Sequence, residues 1–204
     1  MIISLVGQKG GTGKTTLSIN IAYGLVDRGH KVLLIDADPQ GSIIQWQSIS
    51  DNQAFDVSHY AESTIHEDME KISEGYRHVV IDCPPGGEQI TLSALLCSGL
   101  AIVPIGPSPL DIWSAKEFLG IIPEIRKRNK QLQTKLLISK KAAGTILGDQ
   151  ARPALEEFHR SIFNTEIGYR TAYAKSIIIG KAVMEYEPGS EASREIRSLI
   201  DEIL

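Results

Sequence analysis

The hydrophobic residues of this chain are concentrated in short, continuous runs that are rich in β-branched side chains. Such runs are typical of strands that are buried on both faces of a parallel sheet. A weaker strand is predicted over residues 55–59. The five stronger runs cover residues 2–6, 32–35, 79–81, 100–105 and 136–138.

Helical patterns fill the segments between these runs. After Lys14, four apolar residues recur with the spacing of one helix face, and Gly29 is a suitable residue to end that helix. The four residues are Ile19, Ala22, Tyr23 and Val26. Further helices are predicted over residues 111–129, with Asp111 as the N-cap, 152–163 and 190–204.

Strands that alternate with helices predict right-handed βαβ units. We therefore expect an α/β fold, an open and mostly parallel twisted sheet with helices on both faces, in a single domain that spans residues 1–204. The composition agrees, because 42% of the residues are apolar and 23% are charged, as in ordinary globular proteins.

Charge and targeting signals narrow the class of protein. The net charge of -4 excludes a globally basic nucleic-acid binder, so any contact with DNA must come from a local patch. No apolar run is long enough to cross a bilayer, and the first strand lacks the basic flank of a signal peptide. Cys83 and Cys97 match no zinc or redox spacing. We expect a cytoplasmic protein with reduced thiols.

A glycine-rich segment with two lysines, residues 7–16, lies between the first strand and the first helix. Its glycines allow backbone N–H groups to point at a phosphate, and the helix start adds its positive dipole end. Lys14 can reach the β- and γ-phosphates, and the Thr15 hydroxyl can ligate Mg²⁺. The residues predicted to bind ATP here are Gly10, Gly11, Thr12, Gly13, Lys14, Thr15 and Thr16.

Aspartates follow two of the other predicted strands. Asp36 and Asp38 come after the run 32–35, and Asp82 ends the run 79–81 in a Walker B arrangement. Ligands of parallel sheets bind at the carboxyl ends of the strands. Asp82 is therefore predicted to hold Mg²⁺, directly or through a water, with Gly86 allowing the adjoining segment to respond to the γ-phosphate.

The loop KGGTGKTT, with Gln8 where the strict Walker A pattern has glycine and a second lysine at Lys9, resembles the ParA/MinD family of deviant Walker A ATPases. The resemblance implies that Lys9 crosses a dimer interface to the partner's ATP, so that Lys9, Lys14 and Asp38 are the catalytic residues. Asp38 then positions or activates the attacking water. Asp36 either supports the site or caps a turn before Pro39.

Residues 107–111 read PSPLD and resemble a segment of the small, ParF-like ParA proteins. The resemblance implies that Pro107 and Pro109 lie near the adenine and the dimer interface. A rigid turn before a helix explains the prolines equally well. Lys140 follows the last predicted strand, so it is expected near the base as well.

The family resemblance implies a slow ATPase whose ATP-bound homodimer binds DNA without sequence preference. A ParB-like adaptor protein on the cargo stimulates hydrolysis, and the cargo is a plasmid, a chromosome region or an organelle such as a carboxysome. The protein is then associated with the nucleoid. A helix-turn-helix domain is not expected, since the chain starts at the phosphate-loop strand. The predicted DNA contacts, whose alternative is a solvated face, are Arg152, Arg160, Arg170, Lys175 and Lys181.

Two other functions fit this sequence less well. A MinD-like membrane-cycling ATPase needs a basic amphipathic C-terminal helix. The charges over residues 194–202 sum to -1 here (two arginines against one aspartate and two glutamates), which favours docking onto the protein's own core and no membrane contact. An iron–sulfur protein related to the nitrogenase iron protein needs a cysteine pattern that Cys83 and Cys97 do not form.

Overall fold

The computed structural model describes residues 1–51, 54–86 and 88–204. Seven strands form a single sheet in which every strand pair is parallel. The strands are β1 (Ile2–Leu5), β2 (Val32–Asp36), β3 (Asp56–His59), β4 (His78–Asp82), β5 (Leu100–Ile105), β6 (Gln133–Ile138) and β7 (Ser161–Ile162). Their order across the sheet is β3-β2-β4-β1-β5-β6-β7. The predicted α/β fold is confirmed, with a sheet that is fully parallel.

Helices cover both faces of this sheet. They are α1 (Lys14–Asp27), α2 (Ser42–Ser48), α3 (Ile65–Ile72), α4 (Glu88–Cys97), α5 (Pro109–Leu119), α6 (Ile122–Arg128), α7 (Ile146–Glu156), α8 (Thr171–Ile178), α9 (Val183–Tyr186) and α10 (Glu191–Ile203). Alternate strand residues point to opposite faces. Ile3 and Leu5 therefore join a core with α1, α2, α8, α9 and α10, whereas Val79 and Ile81 join a core with α3 to α7.

The last helix confirms the prediction for residues 190–204. Ser190 caps α10, since its side chain accepts a hydrogen bond from the Ser193 amide at 3.1 Å. Ile196 and Ile200 are fully buried against α1. A Cβ atom added at Gly24 of α1 would lie 2.6 Å from Ile200, so the two helices touch where only glycine fits. Within the described ranges, no helix is both long enough and apolar enough to cross a membrane.

The prediction of one helix over residues 111–129 is wrong, because the segment forms α5 and α6. Pro123 lies at the start of α6 and has no N–H to continue the hydrogen bonds of α5. The N-cap of α5 is Ser108, whose hydroxyl accepts a hydrogen bond from the Asp111 amide at 3.2 Å. Asp111 is therefore in the first turn and is not the cap.

The predicted helix over residues 152–163 is also wrong at both ends. Thr145 caps α7 by accepting a hydrogen bond from the Gly148 amide at 3.1 Å. The helix therefore begins at Ile146, before the predicted start at residue 152. Beyond Glu156 the chain leaves the helix and pairs with β6 as β7. Pairing with β6 overrides the helical sequence pattern of this segment, because the Phe163 amide donates to the Leu136 carbonyl at 2.9 Å and Phe163 is fully buried.

One buried histidine in this fold is an unusual core residue. His78 begins β4, is 4% exposed, and packs edge-on against His30 with ring centroids 4.8 Å apart. Among the described residues, neither ring nitrogen of His78 has a hydrogen-bond partner. Burial, reinforced by the positive amino terminus, lowers the pKa of His78 from 6.5 to about 4.

We predict that His78 destabilises the fold in acid. The unfolded chain binds a proton at the ordinary pKa, so the stability from the neutral ring is present above pH 6.5 and is lost as the pH falls towards 4. The expected loss is roughly 3 kcal/mol, at about 1.36 kcal/mol per pKa unit. In His78→Phe, urea unfolding at about pH 7 and about pH 4.5 should show a smaller difference than in the wild type. Equal differences in the two proteins would contradict this assignment.

Candidate nucleotide site

The loop between β1 and α1 has the backbone shape of a phosphate cradle. Gly7, Gly11 and Gly13 have φ angles of 154, 75 and 95°, in the region that favours glycine. Gly13 directly precedes α1, and no side chain caps the helix there. The first amides of α1 are therefore oriented towards the loop, as an anion at a helix start requires.

Lys14 crosses the inside of this loop. Its side chain is buried, and its Nζ atom donates to the carbonyl oxygens of Gly7 at 3.4 Å and Lys9 at 3.2 Å. Burial lowers the pKa of Lys14, while the nearby Asp82 and Asp38 act in the opposite direction. An ammonium group held by long contacts to two carbonyls is suited to exchange them for phosphate oxygens.

Asp82 lies at the carboxyl end of β4, directly against the first turns of α1. Its two carboxylate oxygens accept hydrogen bonds from Thr15 at 2.7 Å and Ser18 at 3.0 Å. Burial raises the pKa of Asp82 to about 7 in spite of these two bonds. The predicted Mg²⁺ residues Thr15 and Asp82 are thus brought together, and their oxygen atoms suit a hard cation. Sequence reasoning missed Ser18, which no motif singled out.

Asp36 and Asp38 have different structural tasks. The buried Asp36 carboxylate accepts hydrogen bonds from the Ile43 amide at 2.8 Å and the Ile44 amide at 3.2 Å, so it caps α2. Its other oxygen accepts from the Asp38 amide at 3.2 Å. Asp36 therefore connects α2 to Asp38, and the half-buried Asp38 carboxylate lies beside the phosphate loop.

Two adjoining cavities run along the loop, and they share Gly13, Thr16 and Lys140. The first, of about 280 Å³, is on the phosphate side, and its other lining residues are Gly10, Gly11, Lys14, Thr15, Asp38, Cys83 and Pro85. The second, of about 270 Å³, is enclosed by the end of β6, the segment after β7 and the start of α8. Together they form a trough with room for phosphates on one side and a base on the other.

Lys140, which was expected near the base, lines the second cavity, but most of the rest of its wall was not predicted. It contains Tyr169, Arg170 and Tyr173, which follow β7. These residues reach the site because the Ile167 carbonyl accepts a hydrogen bond from the Lys141 amide at 2.9 Å and the Lys141 carbonyl accepts one from the Tyr169 amide at 2.9 Å. In the sequence, both tyrosines lie among the basic residues predicted to contact DNA, and no motif points to a role at the base.

The residues predicted from the PSPLD segment lie beside the trough. Pro109 begins α5, and neither Pro107 nor Pro109 lines either of the two described cavities. Asp111 instead forms an ion pair with Lys9 of the same chain, and the Ser108 hydroxyl donates to Asp111 at 2.7 Å. Burial acts to raise the pKa of Asp111, but the contacts with Lys9 and Ser108 together lower it. The crossing of Lys9 to a partner stays a prediction.

The five basic residues predicted to contact DNA are not on one surface. Arg152 pairs with Glu166 at 2.9 Å, and Arg170 pairs with Glu195 at 2.6 Å and Glu191 at 3.1 Å. Arg160 precedes β7, at the amino edge of the sheet, opposite the phosphate loop. Lys175, in the last turn of α8, and Lys181 are exposed and have no side-chain partner among the residues that the structure describes.

Comparison with known proteins agrees with this geometry. The family model for the CobQ/CobB/MinD/ParA nucleotide binding domain matches residues 3–183. Maintenance of carboxysome distribution protein A from Halothiobacillus neapolitanus is 28% identical over 207 residues, which cover 99% of this chain and 95% of that protein. The chromosome-partitioning ATPase Soj of Thermus thermophilus is 26% identical over 237 residues, which cover 99% of this chain and 94% of Soj.

A solved structure shows the same fold. The septum site-determining protein MinD from Pyrococcus horikoshii, complexed with Mg-ADP, superposes with a TM-score of 0.77 at 20% sequence identity. The superposition covers 99% of this chain and 95% of that protein.

We predict that Lys14→Ala weakens nucleotide binding more than about a hundredfold, because each charge-assisted hydrogen bond is worth roughly 1.5–3 kcal/mol and Lys14 can make more than one. Titration with a fluorescent ATP analogue in the presence of Mg²⁺ measures the loss. Lys116→Ala, on the exposed side of α5, is the matched control and should bind normally. Normal affinity in Lys14→Ala would exclude the phosphate role of this lysine.

Proposed function

The chain belongs to the CobQ/CobB/MinD/ParA nucleotide-binding family, and from this premise we propose that it is a Mg²⁺-dependent ATPase that positions a large cargo. The observation that carries the proposal is that Lys14, Thr15 and Asp38 line one cavity at the carboxyl edge of the sheet, where Thr15 is hydrogen-bonded to Asp82. Cargo positioning is supported by relatives named for carboxysome distribution and chromosome partitioning.

The proposed chemistry is transfer of the γ-phosphoryl group of ATP to water. Lys14 and the amides at the start of α1 hold the β- and γ-phosphates, and they neutralise charge that develops on the transferred group. Thr15 and Asp82 would hold Mg²⁺, which would supply positive charge to neutralise the phosphate groups. Asp38 orients the attacking water, and the cap that Asp36 provides fixes the turn from which Asp38 projects.

We further propose that the ATP-bound form is a homodimer joined at this edge. The Lys9 side chain is 42% exposed. It is long and flexible enough to leave Asp111 and reach the phosphates bound to a second copy of the chain. Leu110 and Trp113, at the start of α5, are 63% and 65% exposed. Apolar side chains of this size beside a lysine are suited to burial against another subunit.

DNA is the proposed track on which the cargo is positioned, with a cargo-bound adaptor protein that stimulates hydrolysis. Lys175 is in α8. The first turn of the same helix carries Tyr173, which lines the base side of the trough. Lys175 therefore lies on a helix that contacts the nucleotide site, and Lys181 follows the end of that helix. Because α10 buries Ile196 and Ile200 against α1, the geometry supports DNA rather than a membrane surface as the track, and the protein would be associated with the nucleoid.

Asp38→Ala should bind ATP and dimerise. It should hydrolyse ATP at least about a hundredfold more slowly than the wild type, because the water loses its orienting carboxylate. Turnover is measured by phosphate release, and the dimer by light scattering with ATP. Asp27→Ala, which removes a carboxylate from the far end of α1, is the control. Equal turnover in Asp38→Ala and wild type would contradict the role of Asp38.

Lys175→Glu and Lys181→Glu should weaken DNA binding on unrelated duplexes equally, and each lost phosphate contact should lower the salt slope by about 0.9. Anisotropy titrations at several salt concentrations, with ATP and with ADP, measure both quantities. Lys71→Glu on α3 reverses an equal charge on the opposite face of the sheet and serves as the control.

The wild type and the same three variants are tested for co-sedimentation with anionic vesicles in the presence of ATP. Binding of the wild type to vesicles but not to DNA would favour a membrane-cycling ATPase. DNA binding that does not depend on the nucleotide would contradict the DNA-carrier proposal.

A further inference from the structure

A basic cleft lies at the amino edge of the sheet, opposite the nucleotide trough. It has a volume of about 460 Å³ and lies between α6, the start of β6 and the start of β7. Its charged and titratable lining residues are Arg126, Lys135, His159 and Arg160. No aspartate or glutamate is among the described residues that line it.

The charge in this cleft is poorly compensated by the protein itself. In the part of the chain that the structure describes, neither Arg126 nor Arg160 has a carboxylate partner. Lys135 is partly compensated, because its Nζ atom lies 3.5 Å from Glu202 and 4.1 Å from the centre of the Phe163 ring. Two guanidinium groups that line one cleft repel each other unless an anion lies between them.

The cations at the end of α6 exceed what the helix dipole requires. The dipole places about half a negative charge at a helix end. Arg126, Lys127 and Arg128 all lie in the last turn of α6, and of these Lys127 is paired with Glu124. Arg126 lines the same cleft as Arg160, which comes from the segment before β7. Helix capping does not explain why two arginines from different elements line one cleft.

The backbone before β7 is arranged to bring Arg160 into the cleft. His159 has a φ angle of 48°, in the left-handed region that costs a residue other than glycine about 1 kcal/mol. Its amide donates to the Glu156 carbonyl at 3.0 Å, which reverses the chain after α7. Arg160 comes next and directly precedes β7, whose first residue, Ser161, pairs in register with Lys135.

We propose that this cleft is a second phosphate-binding site, separate from the loop that holds the nucleotide. Arg126 and Arg160 bind the phosphate oxygens through their guanidinium forks, and Lys135 adds a third positive charge. The ligand class is a phosphate group with at least two free oxygens, carried either by a small anion such as pyrophosphate or by a DNA backbone. Phosphate binding here does not depend on the DNA-carrier function proposed above.

The test uses the full chain with its nucleotide trough saturated by Mg²⁺-ADP. Calorimetric titration with pyrophosphate compares the wild type with Arg126→Ala, Arg160→Ala and the matched control Lys127→Ala, the neighbour of Arg126 that does not line the cleft. Each arginine variant should weaken binding by at least about tenfold, as expected when one charge-assisted contact is lost, and the control should bind like the wild type. Arg126→Lys, which keeps the charge without the fork, should lose part of the affinity.

A second arm of the same experiment identifies the source of the phosphate. A short duplex is titrated at low salt with the same variants. Loss of duplex binding in both arginine variants assigns the cleft to DNA, and loss of pyrophosphate binding alone assigns it to a small anion. Absence of pyrophosphate binding to the wild type, or equal weakening in Lys127→Ala, would overturn the proposal. Because Arg126 is exposed, its replacement is not expected to disturb folding, which circular dichroism checks.

Discussion

The buried carboxylate of Asp82 is the group on which the arrangement of the site depends. It ends β4, which lies next to β1 in the sheet, and it accepts hydrogen bonds from Thr15 and Ser18 in the first two turns of α1. The glycine loop is thereby fixed at both ends, by β1 on one side and by the contact of α1 with Asp82 on the other. Because burial raises the pKa of Asp82 to about 7, a cation that binds there also fixes the ionised form of this residue.

Local chemistry made the phosphate side of the site predictable. A glycine loop between a strand and a helix has few structural solutions, so Lys14, Thr15 and Asp82 were placed together from their positions in the sequence. The strand cores of the sheet were predictable for the same reason, since continuous apolar runs of this length are buried on both faces. Strand ends agreed to within three residues; β5 has the predicted bounds, whereas β6 begins at Gln133 rather than at residue 136.

The base side could not be predicted because it is assembled by contacts distant in sequence. Tyr169 and Tyr173 reach the trough only after β7 pairs with β6, and β7 is a strand of two residues within a predicted helix. Hydrophobic periodicity cannot identify so short a strand. Arg152 and Arg170 show a related limit, since the carboxylates that hold them, Glu166 and Glu195, come from other parts of the chain.

The contact of Gly24 with Ile200 has a consequence for motion. Helix α1 is packed between the sheet and α10, and the absence of a side chain at Gly24 lets the Ile200 side chain of α10 pack directly against the α1 backbone. A helix so confined has little freedom to tilt when its amino end acquires a ligand. We expect rearrangement at α2 instead, because Asp36 connects this helix to the trough, and Ile44 in the helix and Ile49 directly after it are partly solvent-exposed. Helix α1 is thus the fixed frame of reference against which displacements of the rest of the molecule can be measured by spectroscopic labels.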